Sequence, residues 1–425
     1  MKLLQPISKL MRVGVLLYLA GSVLYTTYSY LVLYSQSIPS LRSKIATASK
    51  QSPHVETKPD PNTIFRFPHD SRHDIAEDIM VHKAFANTLQ PTKIMPYYFR
   101  AARTFDPEAV TIATLITDDR YPVFSKLVSN YRGPISVSIH IKDDKDRDEH
   151  MTKLHDMYQS NPLMKEFVDV HVVVDKFDRQ FNMWRNVARF FARTNYFMML
   201  DVDFHICTDL QEHLSLDPNA RQLLQSGKAA ILLPAFEFVK QKDGLDSSTF
   251  PKNKASAIRL VRNKKLAMFH DFFKKGHNAT EYQRWYKADS IYKVTKYQHS
   301  YEPYVILKNK GTPWCDERFV GYGANKAACL FEMYISGIEF FVLPHDFIIH
   351  QSHLYKEEAR KQERTYNNKL YRSFREEVCF RYSNQFIMAD LWNTSSANNL
   401  KRECNKISEF KKVVAQMNNV SLRPV

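Results

Sequence analysis

The sequence predicts an α/β body carried behind an N-terminal membrane anchor, and three observations predict it. Apolar β-branched runs alternate with segments of helical period through most of the chain. No Asp, Glu, Lys, Arg or His occurs between Val13 and Leu41. Glycine is scarce, at 10 of 425 residues, and neither G-x-G-x-x-G nor G-x-x-x-x-G-K-[ST] is present. A dinucleotide fold or a P-loop, both built on glycine-rich backbone, is therefore excluded. Any nucleotide phosphate must be held another way.

Residues 1–12 read as a short tail and residues 13–33 as the membrane helix. VGVLLYLAGSVLYTTYSYLVL has the length of about 20 residues that a bilayer core requires. A cleaved signal peptide is the rival reading, but its apolar region usually spans about 7–15 residues. Residues 34–105 read as a stem, polar at first and with scattered Pro39, Pro53, Pro59, Pro61 and Pro68. Residues 106–425 read as one domain. The sequons at Asn278, Asn393 and Asn419 fit a lumenal body.

Within that body Ala109 to Thr117 is the first strand, and YPVFSKLVSNYR the helix after it. Ile135 to Ile141 and Val168 to Val174 are the next strands. Phe181, Trp184, Ala188 and Phe191 then recur at helical spacing. Tyr196 to Phe204 reads as a buried strand ending in acids, and Lys228 to Val239 as another. Lys240 to Lys265 reads as an exposed loop. Ile338 to Pro344 and Phe347 to His350 are late strands, and the charged stretch from Tyr355 to Glu377 is a helix.

The formal net charge is +15, which fits an acidic partner, a nucleotide substrate or an anionic membrane face. No helix-turn-helix, zinc-finger or RNP pattern occurs, so nucleic acid is not an expected partner. The five cysteines contain no C-x-x-C pair, against a structural zinc site. Cys207 and Cys315 flank the two acidic motifs and either bridge or are simply buried.

Asp201-Val202-Asp203 is the chemical centre. Alternation along a strand places both acids on one side, and ligands of open α/β sheets sit at strand carboxyl ends. Two carboxylates there suit Mn²⁺ or Mg²⁺ bridging a diphosphate. The plainer alternative is that strand-end acids cap loops. A phosphatase-type site is a further alternative, although His205 stands where a hydroxyl residue is usual.

Five ordered stretches raise the first reading. Met183 to Phe204, LLPAFE, YEPYV, DERFVGYGANK and FFVLPHDFIIH together resemble glycosyltransferase family 49, over about Thr111 to Glu377. The resemblance implies a GT-A-like fold with a mixed central sheet and a type II protein of the Golgi membrane. It also implies an inverting transfer, best read as glucuronate from a UDP-sugar donor to a glycan or glycoprotein acceptor. By the same resemblance Asp201, Asp203 and His350 hold the metal, Mn²⁺ rather than Mg²⁺, and Asp201 also meets the donor. Arg185, Asn186 and Asn325 are expected donor contacts, Asp316 the first candidate base and Glu317 the second. His353 is expected to be a surface or supporting residue, and Arg318 a partner of Glu302. His205-Ile206-Cys207 departs from the family's usual apolar residue and proline, which loosens transfer of sugar specificity. A non-catalytic sugar- or protein-binding descendant of the same fold is the alternative.

Overall fold

The computed structural model describes residues 93–353 and 360–421, with Ser22, Tyr25, Thr27 and Tyr28 of the apolar N-terminal segment. The chain divides into two units, Met1–Asn62 and Thr63–Val425, and every described strand belongs to the second. The expected tail, nearly all of the membrane helix and most of the stem lie outside the described residues. Among the described residues no helix is long and apolar enough to cross a membrane.

Thirteen strands occur among the described residues. The first seven are β1 (Lys93–Phe99), β2 (Val110–Ile116), β3 (Ile135–Lys142), β4 (Val168–Asp175), β5 (Tyr196–Met199), β6 (Phe204–Ile206) and β7 (Ala229–Leu233). The rest are β8 (Ala235–Phe238), β9 (Leu266–Met268), β10 (Tyr292–Lys293), β11 (Tyr304–Lys308), β12 (Glu339–Val342) and β13 (Ile348–His350). Helix α1 (Tyr121–Tyr131) follows β2, and three helices line the site: α2 (Phe181–Phe190), α3 (Asn325–Ile335) and α4 (Arg360–Met388).

Nine strands form one mixed sheet in the order β1-β4-β3-β2-β5-β11-β7-β12-β10. The run β4-β3-β2-β5 is parallel, while β11 lies antiparallel between β5 and β7. Strands β3 and β4 are buried almost throughout. That is why they read as near-continuous apolar runs rather than alternating ones. β1 pairs antiparallel with β4, so the sheet begins upstream of residue 106.

A second, four-stranded sheet has the order β6-β13-β8-β9. The chain passes from the large sheet to the small one three times, from β5 to β6, β7 to β8 and β12 to β13. Two expected strands are therefore each broken in two. Pro234 lies at the break between β7 and β8, where a residue without an N–H cannot continue a ladder. The expected strand 196–204 breaks at residues 200–203, within the acidic motif. The expected loop 240–265 contains the helix Lys254–Arg262, whose N-cap Asn253 accepts from the Ser256 N–H.

Candidate functional site

The acidic motif is a crossing between sheets. The Leu200 N–H donates to the carbonyl of Ala113 on β2, and the Phe204 N–H donates back to the Asp201 carbonyl, closing a turn. The two carboxylates accordingly part company, instead of pointing together as strand alternation predicts. Both still line one cavity of about 680 Å³.

Asp203 meets the small sheet. In the antiparallel β6–β13 ladder His350 lies opposite Phe204, and the Gln351 N–H donates to the Asp203 carbonyl at 2.7 Å. This register carries residues far apart in sequence to one point. Asp203 Oδ2 is 3.4 Å from His350 Nε2 and 3.0 Å from His353 Nε2. One ligand atom from each of the three lies within 4.8 Å of the others. Burial would raise the Asp203 carboxyl, but hydrogen bonds from the two imidazoles outweigh it and hold the group ionised. A carboxylate beside two imidazoles is a donor set that suits Mn²⁺ better than Mg²⁺.

His353, expected at the surface, belongs to this cluster. The Ser352 N–H donates to Gly244, the Gln351 side chain to Leu245, and the Gln241 side chain to the His353 carbonyl. Those three bonds pin the strand exit to the 241–245 turn and turn His353 inward.

Asp201, expected among the metal ligands, lies outside the cluster and is held by other groups. Lys326 Nζ is 2.6 Å from its Oδ2, the Tyr304 hydroxyl donates to the same oxygen at 3.0 Å, and Arg185 stands 3.7 Å from Oδ1. Burial pushes this carboxyl up, but Lys326 and then Arg185 bring it below the ordinary range. Lys326 also sits over the Tyr304 ring at 3.9 Å.

Arg185 lines the cavity as expected for a donor contact, its guanidinium fixed by Asn182 and Asn325 at 2.8 Å each. Asn325 lines the cavity too. Its amide is occupied, however, accepting from Arg185 and donating to the Gly321 carbonyl, which gives it a bracing role. Asn186 does not reach the cavity. Its side chain holds the neighbouring segment, donating to the Cys315 carbonyl and to Glu317.

The two expected bases are likewise outside the cavity lining. Arg318 clamps both Asp316 oxygens, at 2.6 to 3.0 Å, and reaches Glu377 on α4 at 2.7 Å. Through Arg318 this carboxylate ties the segment to α4, away from the cavity. Glu317 is exposed. The expected Arg318–Glu302 pair is replaced by Arg318–Asp316 and Arg318–Glu377. Gly321 and Gly323, at φ 82° and 95°, bring the backbone close to α4: a Cβ on Gly321 would lie 2.6 Å from Glu363. Cys315 bridges Cys329 and Cys379 bridges Cys404, leaving Cys207 free and buried.

Sequence reasoning gave no role to Lys326 or Tyr304, and to Glu302 only that of an ion-pair partner, yet all three line the cavity. A signal was present: Lys326 ends DERFVGYGANK, and Glu302 and Tyr304 lie in YEPYV, both among the stretches that carried the family resemblance.

Comparison with known proteins agrees with these motifs. The family model described as "Glycosyl-transferase for dystroglycan" matches residues 109–181 and 175–383. The chain is 33% identical over 250 residues to mouse xylosyl- and glucuronyltransferase LARGE2, covering 58% of this chain and 35% of that protein. Against human LARGE1 it is 29% identical over 306 residues, covering 69% and 38%. The glycosyltransferase-like protein gnt14 of Dictyostelium discoideum is 32% identical over 247 residues, covering 57% and 37%. The chain thus matches little more than a third of the length of these relatives. Among solved structures, a Pyrobaculum calidifontis mannosyltransferase in complex with GDP-Man and Mn²⁺ has a TM-score of 0.36 at 9% identity, covering 81% of this chain and 88% of that one. GalNAc-T7 with UDP, GalNAc and Mn²⁺ has a TM-score of 0.39 at 8% identity, covering 72% and 59%. The matched residues run through the sheet, the acidic crossing, α3 and most of α4, and on that extent the chain belongs to glycosyltransferase family 49.

Proposed function

We propose that this chain is a metal-assisted, inverting glycosyltransferase of the GT-A type, anchored as a type II protein of the Golgi membrane. It moves glucuronate from a UDP donor onto a hydroxyl of a glycan or glycoprotein acceptor. One observation carries this reading: the Asp203, His350 and His353 cluster opens onto the same cavity as the Arg185 and Lys326 cations. The donor set fits a divalent ion, because Asp203 is held ionised and each imidazole offers a ring nitrogen. Bound there by those three residues, Mn²⁺ would supply Lewis-acid stabilisation for a departing diphosphate.

The chain's own residues do the rest. Arg185 and Lys326 give the cavity positive potential towards phosphate or a sugar carboxylate, while Asp201 orients both of them. Trp184 lines the cavity, and its buried Nε1–H has no protein partner among the described residues. It is a donor available to a bound ligand. The glucuronate preference rests on family likeness and on these cations, and the Golgi location on the family and the apolar segment at residues 13–33.

The test is a panel of nucleotide sugars, with Mn²⁺ or with EDTA, read by thermal unfolding, since a ligand that binds the native state raises its stability. UDP-glucuronate with Mn²⁺ is expected to give the largest rise and to lose it in EDTA. A panel with no selective, metal-dependent shift would overturn the reading and favour a non-catalytic descendant.

A further inference from the structure

Three carboxylates line the cavity: Asp201, Asp203 and Glu302. The first is paired with Lys326 and the second with two imidazoles. Glu302 makes no ion pair among the described residues. The segment that carries it explains its position. Ser300, Glu302 and Tyr304 line the cavity in alternation as the chain enters β11, while Tyr301 turns the other way to bond Thr280. The Glu302 N–H is fixed on the Gly276 carbonyl at 2.8 Å, and Pro303 restricts the backbone beside it.

The Ala327 N–H in the first turn of α3 favours the ionised carboxylate, as the smallest of the influences on it. A carboxylate offers about four lone-pair sites, so a single N–H leaves it capacity to accept a proton. Burial raises this carboxyl above the ordinary range, Lys326 opposes the rise and Asp201 adds to it. A carboxyl raised in this way is better matched to proton abstraction near neutrality.

Resting on the glycosyltransferase reading above, we propose that Glu302 is the general base of the transfer. Its carboxylate takes the proton of the acceptor hydroxyl as that oxygen forms the new bond to the sugar's anomeric carbon. The bond from that carbon to the phosphate oxygen breaks, and its electron pair leaves with the nucleoside diphosphate. Glu302 is also buried beside the start of α3, so the test must separate loss of the base from loss of stability.

The Glu302→Gln variant of the full chain keeps an oxygen for the Ala327 N–H but removes the base. UDP release from UDP-glucuronate with Mn²⁺ is measured with water and with 4-nitrophenyl β-xyloside as acceptors. Donor affinity is measured by calorimetry and folding by thermal unfolding. The expected result is a kcat lowered by about 100-fold or more, with donor Kd within about threefold and Tm nearly unchanged. A variant kcat within about threefold of wild type would overturn the assignment, as would a loss that merely follows Tm or donor affinity. Wild-type protein that binds and turns over no nucleotide sugar would instead sink the glycosyltransferase reading, and the base with it.

Discussion

Asp203 and His353 are 150 residues apart in sequence, yet the His353 Nε2 lies 3.0 Å from the Asp203 carboxylate. Two constraints bring them together: the β6–β13 ladder, and the bonds that hold residues 351–353 to the 241–245 turn. A cluster assembled in this way draws a ligand atom from each of its three side chains.

Replacing His353 by Ala is therefore expected to weaken Mn²⁺ binding by at least about 10-fold, the lower range for loss even of a supporting metal contact. Asp203→Asn should do more, because it removes the charge. Calorimetric Mn²⁺ titration checks both. Equal Mn²⁺ affinity in His353→Ala and wild type would remove His353 from the site.

The parts legible in sequence were those where one local rule operates. Strands β2 to β4 are buried among neighbours, and their unbroken apolar runs gave their limits to within a residue or two. The acidic motif lacked such a rule. Residues 196–204 keep a strand-like pattern through the crossing, so nothing local shows that the chain changes sheets at residue 200. The position of Asp316, outside the cavity lining, was illegible for a related reason. Its ion-pair partner is Arg318, two residues on, which also pairs with Glu377 on α4, and only the packed helix makes the three a network. His350 was named through the family resemblance, whereas His353 lies past the strand end, where its direction is set by contacts with residues 241–245.

Lys326 is the counter-charge of Asp201, and its removal should be felt in both folding and donor binding. Loss of one partner from a fully buried pair costs about 3–5 kcal/mol. The Asp201 side chain is 37% exposed and keeps Tyr304 and Arg185, so Lys326→Met is expected to cost about 1–2 kcal/mol. Denaturant unfolding measures that term. Calorimetry with UDP-glucuronate and Mn²⁺ should show donor affinity lowered as well, and unchanged affinity would exclude Lys326 from donor binding.

The cysteines give a count that can be checked without any ligand. Four of the five are bridged, leaving the Cys207 thiol, which burial holds well above the ordinary thiol range. Protein denatured without reductant should therefore titrate one thiol per chain, and the native protein close to none. Three or five thiols would refute the pairing. Cys404→Ser opens a bridge of sequence separation 25 between α4 and the helix Asn398–Cys404, and should cost about 2–4 kcal/mol in unfolding free energy.

Acid should destabilise the fold through histidines buried in their neutral form, and His171 on β4 is the clearest case. Its Nδ1 accepts the Tyr97 N–H at 3.0 Å, which leaves the ring proton on Nε2, facing the Ser136 hydroxyl at 3.0 Å. A second proton would set two donors against each other at Nδ1. Burial, aided by Arg193, lowers the group from 6.5 to about 3 in the folded protein. The sign follows from linkage: below pH 6.5 the unfolded chain takes up a proton that the folded chain refuses. The stability is complete above that pH and is lost as pH falls towards 3. At pH 5 the loss from this one residue is about 2 kcal/mol. His277, His270 and His299, lowered to about 3, 4 and 4 mainly by burial, act in the same direction. Denaturant unfolding of wild type and His171→Gln at pH 7 and pH 5 isolates the term. The variant starts less stable at pH 7 but should lose about 2 kcal/mol less on acidification, and parallel losses in the two proteins would rule out a buried neutral His171.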